Sequence, residues 1–399
     1  MEKKTSIWEN SVIWFGAAVS LAEIFSGTLF APLGFTKGME AILLGHVIGC
    51  LLLYGAGLIG GLTGKSAMET VGIAFGEKGS TFFAVLNVIQ LIGWTAVMIA
   101  GGAAALTSLV PGGPVLWSFV LGALVLVWTF TGTSHVGKVN MVAMGLLFVL
   151  TLVLSVLIFG GGALGTSSGE ALSFGAAVEL SIAMPLSWLP LLSDYTRHAQ
   201  KPYKATAASC VVYGLVSCWM YVMGMGMALY TGSTDLGVIM QKAGIGWGAL
   251  VIILLSTVTT TCLDVYSAAI SSISINKAWS SKTASIVVCV IGTLLAAFAP
   301  TSKFEEFLYF IGSVFAPMTA IMLTDYFFLG NKDTNHLWRL DNLGLWAFGF
   351  ILYRYFLNLD TPIGSTVVVM VILMVICYVV HCVIHLCGCT DYKNQWGRY

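Results

Sequence analysis

Two long apolar runs of this chain are interrupted by residues that a membrane-spanning helix rarely contains. The first run, residues 12–33, contains Glu23, and the sixth run, residues 174–192, contains Glu179 and Pro185. A carboxylate inside hydrocarbon is costly unless it faces a cavity or a partner. Broken apolar helices at matching places in two halves of a chain are typical of secondary transporters that bind their substrate near the middle of the membrane.

Apolar runs recur along the whole chain, each long enough to cross a hydrocarbon layer of about 30 Å. With 58% hydrophobic and 9% charged residues, the chain does not have the composition of a soluble globular protein. We predict an all-α polytopic membrane protein with twelve transmembrane helices and no separate soluble domain. The predicted spans cover residues 12–33, 39–62, 80–108, 114–133, 139–160, 173–195, 204–231, 245–273, 282–298, 303–329, 341–357 and 363–388.

The distribution of Lys and Arg predicts the orientation of these spans. If the N-terminus is inside, the outer loops receive only Lys37, Lys242, Lys303 and Arg354, and the inner side receives the other fourteen of the 18 basic residues. Because inner loops carry the excess of Lys and Arg, both termini are expected in the cytoplasm and the protein in the inner membrane. The net charge is +0, and without a basic stripe we expect membrane lipid, not nucleic acid, as the surrounding partner.

The positions of the polar residues suggest two repeats of five spans. Spans one and six are broken, and spans three and eight carry most of the remaining polar side chains. We predict one membrane transport domain, with repeats at 12–160 and 173–329 and two peripheral helices at 341–388. Two short amphipathic pieces, 66–76 and 235–244, are expected at the membrane interface.

Span eight carries a polar stripe formed by Ser256, Thr259, Thr260 and Asp264, which share one helix face. A single hydroxyl in a membrane helix usually bonds to a carbonyl of its own helix. If this face lies against the gap in span one, however, its hydroxyls and the freed carbonyls form an oxygen cage that suits a hard monovalent cation.

Span one carries a comparable stripe of Gly16, Ser20, Glu23 and Gly27. Small residues at this spacing also occur where two helices pack closely, which is a sufficient explanation for the glycines. It does not explain Glu23, for which we predict either a function or a buried partner.

Span three places Asn87, Gln90 and Trp94 on one face. Trp94 lies near the middle of its span, away from the interfacial belts where Trp is usually structural. An indole beside amide groups suits a planar heteroaromatic ligand, which it can stack on while the amides read its edge. Plain helix packing is the alternative.

Span six contains Pro185, which removes one backbone hydrogen bond and is expected to open the helix between Ser181 and Pro185. Backbone groups freed there, and the nearby Trp188, are available to a ligand. At the end of the span, Asp194 and Arg197 either pair at a gate or anchor a loop, and we favour anchoring.

Enzyme motifs are missing from the sequence: we find no Walker loop, no zinc-protease motif and no Ser/His/Asp set at plausible positions. The glycine-rich pieces lie inside apolar spans with no strand before them. We therefore predict a transporter and not an enzyme.

At these residues the chain resembles the nucleobase:cation symporter-1 family, which includes the cytosine and hydantoin permeases, and within it the hydroxymethylpyrimidine (thiamine-precursor) permeases. The resemblance implies a LeuT-like fold, a 5+5 inverted repeat with broken helices 1 and 6 that works by alternating access. It is clearest in the GxxxSxxxxxxG pattern of span one, in the stretches Gln90 to Trp94 and Ser193 to Arg197, and in Thr259 with Thr260.

The resemblance also implies a coupling ion. Carried over residue by residue, it implies a Na+ site formed by backbone carbonyls and by two hydroxyls. The implied ligands are the carbonyls of Gly16, Ser20 and Ser256 and the hydroxyls of Thr259 and Thr260.

For the substrate, the resemblance implies a heteroaromatic small molecule stacked on Trp94. Two positions depart from the family pattern. The aromatic residue of span six falls at Pro185, which leaves Met184 or Trp188 as a substitute, and Gln90 stands four residues before the tryptophan instead of three.

The acids Glu23 and Asp264 are additional to the cytosine permease pattern and indicate a different base. An aminopyrimidine fits, because its amino group and adjacent ring nitrogen form a donor–acceptor edge that Glu23 can bind. The predicted function is sodium-coupled import of such a pyrimidine. A proton-coupled cytosine or nucleobase permease in which Glu23 or Asp264 titrates, and an amino-acid or amine transporter of the same fold, are the alternatives.

Overall fold

The structure is a computed structural model that describes residues 4–131, 136–160, 172–233, 247–299, 304–332, 335–359 and 361–386. Within these ranges the chain is helical, and one isolated bridge pairs Thr5 with Ala199. The first half contains α1 (Ile7–Ala18), α2 (Leu21–Thr28), a 3₁₀ turn (Ala31–Leu33), α3 (Phe35–Thr63), α4 (Ala67–Leu109), α5 (Gly113–Thr131) and α6 (Val136–Phe159).

The second half begins with two helices that meet end to end and continues with long single helices. Its elements are α7 (Phe174–Ser187), α8 (Leu189–Thr196), α9 (Pro202–Thr231), α10 (Trp247–Ile275), α11 (Ser281–Phe298), α12 (Phe304–Leu323), a π-helical turn (Thr324–Phe328), α13 (Leu340–Phe356) and α14 (Ser365–Leu386).

In the described part, nine helices are long and apolar enough to cross a membrane, and the bent α1–α2 pair makes a tenth span. Helices α6 and α13 occupy the positions of predicted spans five and eleven. A multi-pass membrane protein is therefore confirmed, whereas the count of twelve spans stays a prediction.

The first span is broken where the sequence analysis expects it. Helices α1 and α2 meet at an angle of 49°, and Val19 and Ser20 lie between them outside helical geometry. The extended backbone of Ser20 allows its hydroxyl to accept the N–H of Glu23 at 3.2 Å, which caps α2. The break thus exposes the last carbonyls of one helix and the first N–H groups of the next.

The second break lies later and is milder than expected. The prediction that the helix opens between Ser181 and Pro185 is wrong. Helix α7 continues through Pro185 to Ser187, and the interruption falls at Trp188. Proline removes only one helical hydrogen bond. Backbone hydrogen bonding continues past the proline, since the Trp188 N–H donates to the carbonyl of Pro185 at 3.1 Å.

Glycines allow four of the helices to pack with their backbones in close contact. A Cβ on Gly27 of α2 would overlap the backbone of Tyr221 in α9, and one on Gly224 would overlap the carbonyl of Ile24. Gly45 of α3 faces α7 in the same way. Helices α2, α3, α7 and α9 therefore form a tight bundle, as the small residues of span one predict.

The short helical piece 67–75, before a bend at Gly76 (φ 77°), is buried against the rest of the protein except at Glu69. Its position at the membrane interface stays a prediction. Its first N–H, from Ala67, is bonded by the Asp194 carboxylate at 2.9 Å. Asp194 thus anchors the end of span six to this piece, which is the role favoured from the sequence. The other predicted amphipathic piece, 235–244, lies outside the described residues.

Glu179, which marks the sixth apolar run, connects α7 to α13 and α14. Its carboxylate accepts the N–H of Thr366 at 2.8 Å and the Thr366 hydroxyl at 2.6 Å, and also the hydroxyl of Tyr353. Because these donors satisfy both oxygens, burial of this acid is explained by packing between spans.

Candidate functional site

A cavity lies where the α1–α2 break meets α4, the α7–α8 junction and α10. The space between protein atoms at this junction amounts to about 340 Å³, a value that includes space open to solvent. Its walls are mostly apolar, with two indoles, two carboxylic acids and three hydroxyls among them. The lining residues are Ala17, Ser20, Ala22, Glu23, Leu91, Trp94, Met98, Met184, Ser187, Trp188, Leu191, Thr260 and Asp264.

Helix α10 is bonded directly to the break in span one. The Ser256 hydroxyl accepts the N–H of Leu21 at 2.9 Å and lies 3.5 Å from the carbonyl oxygen of Val19. The structure therefore brings the polar stripe of span eight against the gap in span one, which was the condition for a cation cage.

The two threonines of this stripe differ in their bonding. The Thr259 hydroxyl donates to the Leu255 carbonyl of its own helix at 2.7 Å, whereas the buried Thr260 hydroxyl has no hydrogen-bond partner among the described residues. Gly16 lies in the last turn of α1, where carbonyls lack partners within the helix. The oxygen atoms at this junction are thus chemically suited to a hard cation.

Two tryptophans form aromatic walls of the cavity. Trp94 packs edge-on against Phe304 and Phe307, with ring centroids 5.9 and 5.5 Å away, and its indole nitrogen has no partner among the described residues. Trp188 lies at the α7–α8 junction, 5.4 Å from the ring of Trp14. The indoles therefore offer a flat ligand apolar surface from two different helices.

The amides predicted to read a ligand edge bond to backbone and side-chain groups near the second break. Gln90 donates to the carbonyl of Ser187 at 2.9 Å, and Asn87 donates to that of Pro190 at 3.3 Å and to the Ser271 hydroxyl at 2.9 Å. The hydrogen bond from Gln90 thus gives a donor to the carbonyl of Ser187, which stands at the end of α7. The structure thus places both amides behind the cavity wall.

Glu23 lines the cavity with its carboxylate already bonded to α9. One oxygen accepts the hydroxyl of Tyr213 at 2.9 Å and the other that of Ser217 at 2.7 Å. The residue is 1% exposed. The buried partner predicted as one explanation for Glu23 is therefore present, and the two donors lie on a single neighbouring helix.

Asp264 lines the same cavity from α10 and is 4% exposed. Its carboxyl group forms no hydrogen bond or ion pair with the described residues. A buried acid without a protein partner carries a large desolvation cost. It is therefore available to a donor group on a ligand.

The structure divides the predicted site residues into two groups, and their roles toward a ligand or cation stay predictions. Those lining the cavity are Ser20, Glu23, Trp94, Met184, Trp188, Thr260 and Asp264. Those outside its lining are Gly16, Asn87, Gln90, Pro185, Ser256 and Thr259. Pro185 contacts α3 beside Gly49.

Sequence reasoning missed several lining residues and the partners of Glu23. Leu91 and Met98 stand three residues before and four after Trp94, so helical periodicity around that tryptophan was a usable signal. Tyr213 and Ser217 gave no such signal, because they lie on a distant helix and become neighbours only through α2–α9 packing.

Comparison with known proteins places the chain among permeases. Residues 1–341 match the family described as permeases for cytosine/purines, uracil, thiamine and allantoin. The cytosine permease of Escherichia coli (strain K12) is 25% identical over 305 residues, which are 75% of this chain and 72% of the permease. The hydantoin permease of Microbacterium maritypicum is 22% identical over 375 residues, 83% of this chain and 74% of that protein.

Solved structures show the same fold. Mhp1, described as a nucleobase-cation-symport-1 family transporter in a closed conformation with bromovinylhydantoin bound, aligns with a TM-score of 0.81 at 20% identity, covering 96% of this chain and 94% of Mhp1. A Na+-coupled sialic acid symporter aligns with a TM-score of 0.68 at 15% identity, covering 94% and 89%. The predicted all-helical LeuT-like fold is confirmed.

Proposed function

Because the chain belongs to the nucleobase:cation symporter-1 family, we propose that it imports an aminopyrimidine, hydroxymethylpyrimidine or a related thiamine precursor, together with sodium. Family membership establishes a secondary transporter of the nucleobase and hydantoin type, not an enzyme. The choice of substrate, the coupling ion, the inner membrane and the cytoplasmic termini are the proposed refinements.

The carboxyl group of Asp264, which has no hydrogen-bond partner among the described residues, carries the substrate proposal. It faces a cavity with two indole walls, and an aminopyrimidine combines a flat π surface with an N–H donor edge. Stacking on Trp94 or Trp188 and donation to Asp264 would satisfy both features at once. An oxo-pyrimidine that presents a carbonyl oxygen at the same edge would face the carboxylate with a second acceptor.

The oxygen atoms at the α1–α2 break support the sodium proposal. The carbonyls of Gly16, Ser20 and Ser256 and the hydroxyls of Thr259 and Thr260 would hold the ion. The bound ion would supply positive charge that connects span one to α10. One structural neighbour is described as Na+-coupled.

Shared residues suggest how ion and substrate would be coupled. Ser20 and Thr260 belong to the proposed ion site and also line the substrate cavity. Ordering them around a cation would fix the wall that the substrate contacts, so each ligand would favour the binding of the other. Alternating access would then follow movement of the α2, α3, α7 and α9 bundle relative to α4 and α10.

An amine or amino-acid transporter is the second candidate, and Asp264 is the observation that favours it. A buried carboxylate without a partner also suits an ammonium group. The two tryptophans favour the aminopyrimidine, because a stacking surface is of use to a planar ligand above all.

Equilibrium binding to the purified protein tests the proposal. The ligands are hydroxymethylpyrimidine, cytosine, uracil and phenethylamine, each measured in sodium and in potassium at equal ionic strength. We expect hydroxymethylpyrimidine to bind most tightly of the four ligands, and more tightly in sodium than in potassium. Tighter binding of phenethylamine would favour the amine transporter, and equal affinities in the two salts would refute sodium coupling.

A further inference from the structure

The last three helices, α12, α13 and α14, pack into one unit. The indole nitrogen of Trp346 in α13 donates to the Val314 carbonyl of α12 at 2.9 Å. A Cβ on Gly349 of α13 would lie 2.9 Å from Cβ of Pro317 in α12 and would overlap Leu373 of α14. Helices in such close contact resist sliding past one another, because their side chains interlock. We name α12, α13 and α14 the C-terminal unit.

A carboxylate of the bundle holds one end of the C-terminal unit. Glu179 of α7 accepts the N–H and the hydroxyl of Thr366 in α14, at 2.8 and 2.6 Å, and the Tyr353 hydroxyl of α13. These three residues are at most 2% exposed. A Cβ on Gly364, just before α14, would lie 2.6 Å from Oε2 of Glu179. The bonds are shielded from water, so breaking them would leave buried polar groups unpaired.

The opposite end of the C-terminal unit holds the bend between the piece 67–75 and the rest of α4. Three consecutive carbonyls before the bend accept hydrogen bonds from the connection between α12 and α13: Ile73 from Asn331 at 3.3 Å, Ala74 from Asn342 at 2.6 Å and Phe75 from the Arg339 N–H at 3.1 Å. The Arg339 side chain also donates to the Asp325 carboxylate at 2.8 and 2.9 Å. This ion pair fixes the connection to the end of α12.

After the bend, the same connection accepts hydrogen bonds. The N–H of Glu77 donates to the His336 carbonyl at 2.9 Å, and that of Lys78 to the Leu337 carbonyl at 2.9 Å. Gly76 between them has a φ of 77°, and a Cβ there would lie 2.8 Å from the His336 oxygen, so this approach requires glycine. The backbone on both sides of the bend is therefore supported by the C-terminal unit.

The two ends of the unit are attached to different parts of the molecule. Helix α7 belongs to the bundle of α2, α3, α7 and α9, whereas α4, α5, α10 and α11 pack against one another as a second body. A Cβ on Gly102 of α4, for example, would lie 2.6 Å from the Thr257 hydroxyl of α10. The piece 67–75 is held to α8 by Asp194. The chain thus passes from the bundle side to the second body at Gly76.

We infer that the C-terminal unit moves with the bundle, and that the bend at Gly76 is the pivot about which α4 and the second body turn. This rests on the proposed alternating access, which requires the two bodies to move relative to each other. Helix α12 contacts α7 more extensively than α4, and Glu179 fixes the end of the unit opposite the bend. A pivot is displaced least, so the bonds on both sides of Gly76 persist while the far end of α4 moves.

Distances between spin labels on the full-length protein, in a cysteine-free background, test the inference. Ile351 of α13 is labelled together with Leu51 of α3 (the bundle pair), with Val85 of α4 (the near pair) or with Leu116 of α5 (the far pair), all of them exposed positions. Samples contain sodium or potassium, each with and without hydroxymethylpyrimidine. The bundle pair should keep one distance in every sample.

The near and far pairs should change unequally. At 1.5 Å per residue, Val85 lies about 14 Å from Gly76 along α4 and the end of α4, beside Leu116, about 50 Å, so the far pair should change about three times as much as the near pair. Equal changes in the two pairs would exclude a pivot at Gly76. A changing bundle pair beside a constant far pair would mean that the C-terminal unit moves with the second body.

Glu179→Gln tests the connection to the bundle without any ligand. The amide NH₂ group faces hydrogen-bond donors, so the end of the unit should come free and the bundle pair should show a broader distance distribution, while the near pair keeps its wild-type distribution. Tyr353→Phe removes one donor and is the milder variant if Glu179→Gln does not fold. Tyr378→Phe, at a tyrosine of α14 that is 47% exposed, is the matched control.

The outcome depends on which pair changes, whichever ion or ligand causes the change, so a failure of the sodium or pyrimidine proposal is seen separately in the binding measurements. Where no ion or ligand produces a change, the ligand-free variants decide. A bundle pair as narrow in Glu179→Gln and Tyr353→Phe as in the wild type would overturn the inference.

Discussion

Glu23 and Asp264 face one cavity and are both almost completely buried, yet their environments differ. Both oxygens of Glu23 are bonded to hydroxyls of α9, whereas the described residues provide no partner for Asp264. Glu23 belongs to the bundle of α2, α3, α7 and α9, and Asp264 lines the same cavity from α10. Burial alone therefore does not assign a role to an intramembrane acid, and its hydrogen-bond partners do.

The difference predicts unequal roles for the two acids. A carboxyl group whose oxygens are already bonded contributes mainly to structure and to the charge of the cavity. A carboxyl group without a protein partner contributes more to the free energy of ligand binding, because a donor on the ligand offsets the desolvation cost of the buried group. The substitutions below are ordered from the largest expected effect on ligand binding to the smallest.

Asp264→Asn should have the largest effect. Removing one side of a buried charged hydrogen bond typically costs about 2–5 kcal/mol, so we expect hydroxymethylpyrimidine affinity to fall about 100-fold. The affinity for uracil, which does not present the same donor edge, should fall much less. Calorimetric titration of the variant with each ligand measures the two affinities. Equal losses for the two ligands would mean that Asp264 does not read the amino group.

Trp94→Ala should have the second largest effect. We expect the free energy of ligand binding to weaken by about 1–3 kcal/mol, the range measured for stacking of bases on aromatic side chains. Trp94→Phe should retain part of the affinity. Trp279→Ala is the matched control, because that tryptophan is 52% exposed and outside the cavity. Wild-type affinity in Trp94→Ala would assign this residue to helix packing.

The double substitution Thr259→Ala with Thr260→Ala should abolish the effect of sodium on ligand binding while leaving the fold intact. It removes two oxygens of the proposed cation site, and a hard cation needs most of its hydration shell replaced. Thr261→Ala is the matched control, since that hydroxyl donates to the Thr257 carbonyl at 2.6 Å. Undiminished sodium dependence in the double variant would exclude this site.

Glu23→Gln should have the smallest effect on ligand affinity, less than about ten-fold. The amide oxygen can still accept one hydroxyl, but its NH₂ group faces the other, so we expect the free energy of unfolding to fall by about 1 kcal/mol. Thermal denaturation and ligand titration of the same sample measure both. A loss of affinity as large as that in Asp264→Asn would make Glu23 a direct ligand contact.

Much of the fold could be predicted from the sequence because membrane spans depend on local properties. Apolar length defines the spans, and Glu23 inside the first apolar run indicates that span one is interrupted. The position of the second break was harder to predict. Pro185 removes one hydrogen bond of α7, yet the interruption falls at Trp188, next to the Ser187 carbonyl that accepts a hydrogen bond from Gln90 of α4.

The site was predictable only in part, since its assignment depends on contacts between distant helices. Periodicity identified Trp94, Thr260 and Asp264 as residues on the right faces. It could not show that Gln90 donates a hydrogen bond to the backbone at the α7–α8 junction. Nor could it show that His46, a single histidine in an apolar helix, contacts Ser217, which in turn contacts Glu23.

The central claim, sodium-driven import of an aminopyrimidine, is tested most directly by uptake into proteoliposomes containing the purified protein. Radiolabelled hydroxymethylpyrimidine is offered outside, with an inward sodium gradient, an inward proton gradient or neither. We predict accumulation above equilibrium with the sodium gradient alone, and competition by unlabelled hydroxymethylpyrimidine but not by uracil. Accumulation driven by the proton gradient in sodium-free buffer, or competition by both pyrimidines to the same extent, would contradict this account.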